Sequence, residues 1–488
     1  MLIPFIFFAP LFLGLSYLFI RRIKVLSLLH IFGYAAFFCQ SAYLLYTLSR
    51  FGKPAAFEGA FFFMDSLSAF FLFTIAVVSF AASLYSAGFV AGDIEKGKLD
   101  LPKARLYYLL FDLFILAMIF TVTVNNAGFM WIAIEMTTLI SAFLVGFYRT
   151  KESVEAAWKY IIICSVGIII ALLGTILYYY ALSLAGYHNS LNWTQMFSCA
   201  GRLDKNILKI AFIFILVGYG TKAGLAPMHT WLPDAHSQAL SPISALLSGV
   251  LLKTSIYAII RFGLILNLSL GSRSYFSHLL LFFGFISLAV SCFLVFVQKD
   301  LKRLLAYSSI EHIGVICVGL GIGGTLGIMG ALLHIFNHAV TKSLMFFGAG
   351  RIVTHYGTHN IKAIRGVISS MPFSGTVFLF GMFALLGFPP FSIFMSELLI
   401  IIAGFTQAHY AASGFLLLFL AFIFGAVLSR LTKMLFGHKP KYLQAARERL
   451  SVKAAFLWLA IFVIILGIGL PPVLKEAIAA AMEALKGL

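Results

Sequence analysis

The sequence predicts an all-α polytopic membrane protein of about fourteen transmembrane helices, and three observations predict it. Of its 488 residues, 61% are hydrophobic and 11% charged, too few polar groups to solvate the surface of a water-soluble protein of this length. The apolar runs are about 20 residues long and do not alternate, the pattern of helical spans rather than barrel strands. Most of the basic residues fall on one side of successive crossings, the bias that the positive-inside rule describes.

In chain order the spans fall at 2–20, 25–48, 60–90, 106–122, 127–148, 158–181, 208–230, 243–268, 276–297, 304–323, 326–350, 372–402, 413–435 and 454–474. The opening stretch, MLIPFIFFAPLFLGLSYLFI, has neither a basic segment ahead of it nor a small-residue cleavage site, so it reads as a retained helix. Polar stretches near 93–105, 183–207 and 437–453 are too short for a soluble domain. One membrane domain, 1–488, is expected: helices 1–3 in 1–105, five helices in each of 106–268 and 276–435, and the last helix with a short tail in 454–488.

The net charge of +18 does not call for nucleic acid, because topology accounts for it. Loops after odd-numbered spans hold 23 of the 35 Lys and Arg residues, Lys441 among them, and the opposite side holds 8, including Lys53 and Lys486. The chain therefore reads as a multi-pass protein of the cytoplasmic (inner) membrane with both termini on the non-cytoplasmic side. Five single cysteines, Cys39, Cys164, Cys199, Cys292 and Cys317, offer no paired spacing for iron–sulfur or structural zinc. No cofactor, metal site or catalytic centre is expected in this chain, so any oxidoreductase chemistry belongs to partners.

Charged side chains at mid-bilayer cost about 2.5–3.5 kcal/mol on insertion scales, which makes the few present functional candidates. They are Glu135, Lys222, Lys253, Arg261, Glu311, His312, His334, His338, Lys342 and Glu397, with Asp65 and Asp112 nearer the expected span ends. Lys222 lies midway along the seventh span, and Pro227 should interrupt the helix just beyond it. The twelfth span repeats this design in LLGFPPFSIFMSELLI, where Pro389 and Pro390 precede Glu397. Two broken spans five helices apart, each beside a charge, suggest two related halves; a simple proline kink beside a snorkelling lysine is the alternative.

Glu135 is the carboxylate of the fifth span, either a structural partner or the switchable partner of Lys222. Lys253 has apolar neighbours along the eighth span, and burial favours the neutral amine, which suits a proton carrier. Arg261, two turns on, is expected to snorkel or to pair near the helix end. His334, His338 and Lys342 recur every four residues and so share one helix face, a stripe of roughly 12 Å. The stripe reads as a proton wire, with packed structural histidines as the alternative; Ile335 stands where the zinc-protease motif needs Glu. Gly319, Gly321 and Gly324 match a dinucleotide fingerprint but join two apolar helices, so they read as a turn.

Together, FMDSLSAFFLF (63–73), WIAIEMTTL (131–139), GTKAGLAPMHTWLPDAHSQALSPISALLSGVLLKTSIYAIIR (220–261), QKDLKRLLAYSSIEHIG (298–314) and HIFNHAVTKSLMFFGAG (334–350) resemble a known family. They are similar to the antiporter-like membrane subunits of respiratory complex one, of group 4 membrane-bound hydrogenases and of multi-subunit sodium/proton antiporters. AYSSIEHIG, TKSLMFFGAGRIV and HYGT look most similar to the F-type members of its hydrogenase-4 branch. The resemblance implies two inverted five-helix repeats with helices 7 and 12 broken, and, given the short tail, no long lateral helix. It also implies roles: Glu135 and Lys222 as a coupling ion pair, Lys253 as central proton carrier, His334 and His338 as the link between half-channels, and Glu397 at the outlet. Lys342 matches the motif without so clear a role. Glu397 stands where some relatives carry Lys, and in this the chain resembles the smaller antiporter-like subunits.

The expected function is proton translocation (sodium being the alternative) in the lipid bilayer. It would be driven by electron transfer in other membrane and peripheral subunits of a hydrogenase or complex I-like assembly of the NADH-quinone oxidoreductase type. Two other readings stay open: a sodium/proton antiporter subunit independent of redox chemistry, and a non-conducting structural anchor.

Overall fold

Helices that cross a membrane must satisfy their own first backbone donors, and short polar side chains at the turns of this sequence do so. The computed structural model describes residues 3–17, 19–52, 54–57, 61–188, 190–440 and 443–485; Lys53, Lys441 and Lys486 lie outside them, as do residues 2, 18 and 60 of the expected spans. The first six helices are α1 (Ile3–Ser16), α2 (Ile23–Phe51), α3 (Ser66–Glu95), α4 (Leu101–Thr123), α5 (Ala127–Val145) and α6 (Lys151–Leu184). Next come α7 (Trp193–Ser198), α8 (Lys205–Ala223), α9 (Trp231–Gln238), α10 (Ser241–Leu246), α11 (Leu252–Leu270), α12 (Ser274–Val297) and α13 (Leu301–Ile322). The rest are α14 (Gly324–Tyr356), α15 (Val367–Ser370), α16 (Pro372–Leu385), α17 (Ser392–Thr406), α18 (Tyr410–Leu435), α19 (Leu450–Ile468) and α20 (Pro472–Glu483). Asp65, Asp100, Asp204 and Asp300 cap α3, α4, α8 and α13 by accepting first-turn N–H bonds, and Asn126 and Thr150 cap α5 and α6.

Eleven helical segments among the described residues are long and apolar enough to cross a membrane. The short α1, the polar-striped α14 and the α16–α17 pair complete the series of about fourteen crossings in the expected order. The third crossing starts later than expected, at Ser66, because residues 55–57 and 62–64 form a small antiparallel hairpin ahead of it. Past the last crossing the tail folds into α20, which packs on α2 and α3. Apolar side chains such as Phe32, Ile162, Ile169, Ile176 and Phe422 are exposed on α2, α6 and α18, the faces a bilayer would cover.

Inside, the apolar stretches of α13 and of the α10–α11 segment are enclosed by other helices. Close helix approach needs small residues. Where α6 meets α8, a Cβ on Gly218 would lie 2.4 Å from the Ala171 nitrogen and 2.6 Å from the Gly167 oxygen.

Three interruptions shape the centre. The seventh crossing stops at Ala223, turns through Gly224 at φ 83° and resumes at Trp231, so the break falls just beyond Lys222. The freed groups find partners: the Trp231 indole donates to the Thr221 carbonyl at 2.8 Å, and the Ala226 N–H donates to Ser287 Oγ at 3.0 Å. The twelfth crossing stops at Leu385 and resumes at Ser392, past Gly387 at φ 63°. The eighth crossing, expected to be continuous, contains a π-turn at Leu247–Leu251 immediately before Lys253.

Candidate functional site

The α5, α6 and α8 helices bring the first pair together. Lys222 is fully buried, and its ammonium donates to Thr138 Oγ1 at 2.7 Å and to the Tyr160 hydroxyl at 2.6 Å. Thr138 donates in turn to Glu135 Oε2 at 3.2 Å, while Ser165 donates to Glu135 Oε1 at 2.6 Å. The expected ion pair is therefore bridged: one hydroxyl separates the acid from the amine. The Lys222 ammonium also stands 4.6 Å over the Tyr160 ring, a cation–π contact suited to a cation enclosed by protein.

Beyond the break, the Trp231 ring lies 4.7 Å from Tyr160 and 6.1 Å from His236. His236 is fully buried between the two lysine regions, a residue that the sequence did not single out. Its signal is the histidine in PDAHSQ, whose depth the break in the crossing hides.

The Lys253 ammonium reaches across to His338 Nδ1 and donates to the Ser248 carbonyl. The π-turn explains this second bond, since wider turns free carbonyls from the helical ladder. From His338 the row continues through α13, not straight down α14. The His312 ring sits 4.8 Å from His338 and 5.1 Å from His334, whereas His334 and His338 are 6.4 Å apart. His312 Nδ1 and His334 Nε2 are hydrogen-bonded at 3.1 Å, and His334 Nδ1 meets Ser396 Oγ at 3.0 Å. Asn337 ties α14 to the start of α17 by donating to the Ser392 carbonyl at 2.5 Å.

Glu397 follows Ser396. Its carboxylate and one ring nitrogen each of His312 and His334 lie within 4.8 Å of one another, so by distance alone the trio could also hold a metal ion. Gly387 makes room for the acid: a Cβ there would meet Glu397 Oε2 at 2.1 Å, and its φ of 63° suits glycine.

Lys342 leaves the expected single-file stripe. Its ammonium turns to α13, donating to the Leu305 carbonyl at 2.8 Å and to Ser308 Oγ. Arg261 pairs, as one expectation had it, but from the middle of α11 and not near that helix's end: its two terminal nitrogens contact Asp65, the cap of α3, at 2.7 and 2.5 Å, with Trp193 and Tyr257 rings beneath. Asp112 is not at a span end. It is buried in mid-α4, accepting from the Tyr34 hydroxyl at 2.8 Å with His30 Nδ1 at 3.4 Å, because that helix begins earlier than its apolar run.

A many-pass helical subunit with two interrupted crossings and a buried row of amines, imidazoles and carboxylates defines the class: an antiporter-like membrane subunit. The chain belongs to the NADH:quinone oxidoreductase/Mrp antiporter transmembrane family, whose profile matches residues 125–429. It is 40% identical over 381 residues to the hydrogenase-4 component F homolog of Methylacidiphilum infernorum, covering 78% of this chain and 80% of that one. Hydrogenase-4 component B of Escherichia coli is 30% identical over 361 residues, 72% of this chain but 52% of that longer protein. Among solved structures, a chain of the archaeal membrane-bound sulfane sulfur reductase superposes with a TM-score of 0.85 at 22% identity, covering 100% of this chain and 96% of its own. A chain of the Dietzia Mrp complex superposes at 0.87 with 19% identity, covering 99% and 97%. These two likenesses concern the fold.

Proposed function

We propose that this subunit moves protons across the cytoplasmic membrane, driven by electron transfer in partner subunits of a hydrogenase-type or complex I-like assembly. The observation that carries the reading is the buried row from Lys253 through His338, His312 and His334 to Ser396 and Glu397, each member within hydrogen-bond or ring-contact distance of the next or beside it. Protonatable nitrogens and oxygens in such contact can pass a proton without any one of them crossing the membrane.

In this reading Glu135 and Lys222 are the control. With Thr138 accepting from the amine and donating to the acid, redox events in a neighbour that shift either charge alter the other, and Lys253 is next in line. Moving one charge against 100 mV takes about 2.3 kcal/mol, close to the cost of one uncompensated charge at mid-membrane, so switching one such contact suffices to gate transport. Protons would enter from the cytoplasmic side, reach Lys253 and leave by Glu397, with both termini on the far side. The halves at 106–268 and 276–435 would be inverted repeats, each contributing one broken helix.

The test replaces Lys222 or Lys253 by Met in the assembled complex and follows redox-driven proton movement in vesicles. Loss of pumping with assembly and electron transfer intact supports the reading; unaltered pumping rejects it. Pumping that requires sodium, or persists without the electron donor, would favour a redox-independent exchanger.

A further inference from the structure

A second feature lies away from the proton row, at the membrane face where α3 and α5 end and α4 and α6 begin. A cavity of about 900 Å³ opens there between α4, α5 and α6. Lys98, Lys103 and Arg149 stand at its outer end, and Leu110, Phe143 and Trp158 line its inner part. Among the described residues no carboxylate lines it, and none of the three cations forms an ion pair within 4.0 Å. Like charges gathered without an ion-paired carboxylate repel one another, and an anion seated among them would relieve that repulsion.

Arg149 adds a local argument. It sits in the turn after α5 at φ 55°, a conformation that glycine adopts freely and a long side chain does not. The turn would accept glycine, so what the position gains from arginine is the charge it holds over the cavity. Below the cations the walls are apolar, and from Lys103 to Leu110 the lining runs about 10 Å along α4. Phe143 and Trp158 are 68% and 61% exposed, so the cavity opens sideways to the surroundings of the helices. Trp at such a depth marks the interface between headgroups and acyl chains.

We propose that this cavity binds one anionic diacyl phospholipid, its phosphate among Lys98, Lys103 and Arg149 and its upper chains between α4, α5 and α6. Basic pockets between helices at a membrane face bind lipid headgroups on this principle. A free anion would leave the apolar walls unused.

The test reconstitutes the full chain with its partners in phosphatidylcholine vesicles containing phosphatidylglycerol, and counts retained lipid by native mass spectrometry. Phosphatidylglycerol should be retained over phosphatidylcholine. Lys98→Gln, Lys103→Gln and Arg149→Gln should each weaken retention roughly fivefold, and Lys299→Gln with Lys362→Gln, on the same face but away from the cavity, should not. Each cavity variant changes one exposed side chain, so folding should be kept and the loss read as lipid binding. Equal retention of both lipids, equal loss in the control, displacement by millimolar inorganic phosphate, or a photo-crosslinker at Phe143 that captures a partner subunit would each overturn the proposal.

Discussion

Thr138→Val tests the bridge between Glu135 and Lys222 with little change of shape, since both side chains branch at Cβ. The substitution removes the one hydroxyl that accepts from Lys222 at 2.7 Å and donates to Glu135 at 3.2 Å. Tyr160 would still hold the amine and Ser165 the acid, so folding should survive. A hydrogen bond to a charged group is worth about 1.5–3 kcal/mol. At about 1.4 kcal/mol per factor of ten, coupling between the two charges should fall by roughly 10- to 150-fold. The assay is redox-driven proton uptake by vesicles, with electron transfer and subunit stoichiometry measured on the same preparation. Wild-type pumping in a fully assembled Thr138→Val complex would refute the bridge.

Other substitutions separate transport from packing. Ser396→Ala deletes the partner of His334 Nδ1; it should slow proton movement and, by leaving a buried group unsatisfied, reduce stability by about 1–3 kcal/mol, read as pumping rate and melting temperature. Gly387→Ala forces a Cβ against Glu397 at a positive φ; it should lower pumping and reduce stability by about 1–2 kcal/mol from backbone strain alone, read as a lower melting temperature. Asp65→Asn breaks the buried pair with Arg261 and should destabilise the protein by about 3–5 kcal/mol, lowering the melting temperature of the purified chain. Gly218→Val drives a side chain into the α6 backbone and should prevent stable assembly, visible as loss of the complex on native gels.

Much of this architecture was legible because bilayers impose strict rules. Long apolar runs can only be helices, and proline beside an intramembrane charge marked both broken crossings where they occur. Individual charges were legible too, since each is costly in an apolar run. Their partners were not. Thr138 and Ser396 are common residues whose hydroxyls matter only through neighbours distant in sequence, and helix periodicity could not show that His312 of α13 stands between two imidazoles of α14. The π-turn before Lys253 escaped because its sequence, LSGVL, lacks proline. Lys342 departed from its stripe because a long side chain follows the nearest acceptors, here on α13, and not its helix alone.

The most direct measurement is difference infrared spectroscopy of the carboxyl stretch as the assembled complex is reduced, with Glu397→Gln identifying the Glu397 band. If protons run along one connected row, Glu397 changes protonation in the wild type, and Lys253→Met abolishes that change although electrons still flow. An unchanged Glu397 signal in Lys253→Met would mean that the two are not joined.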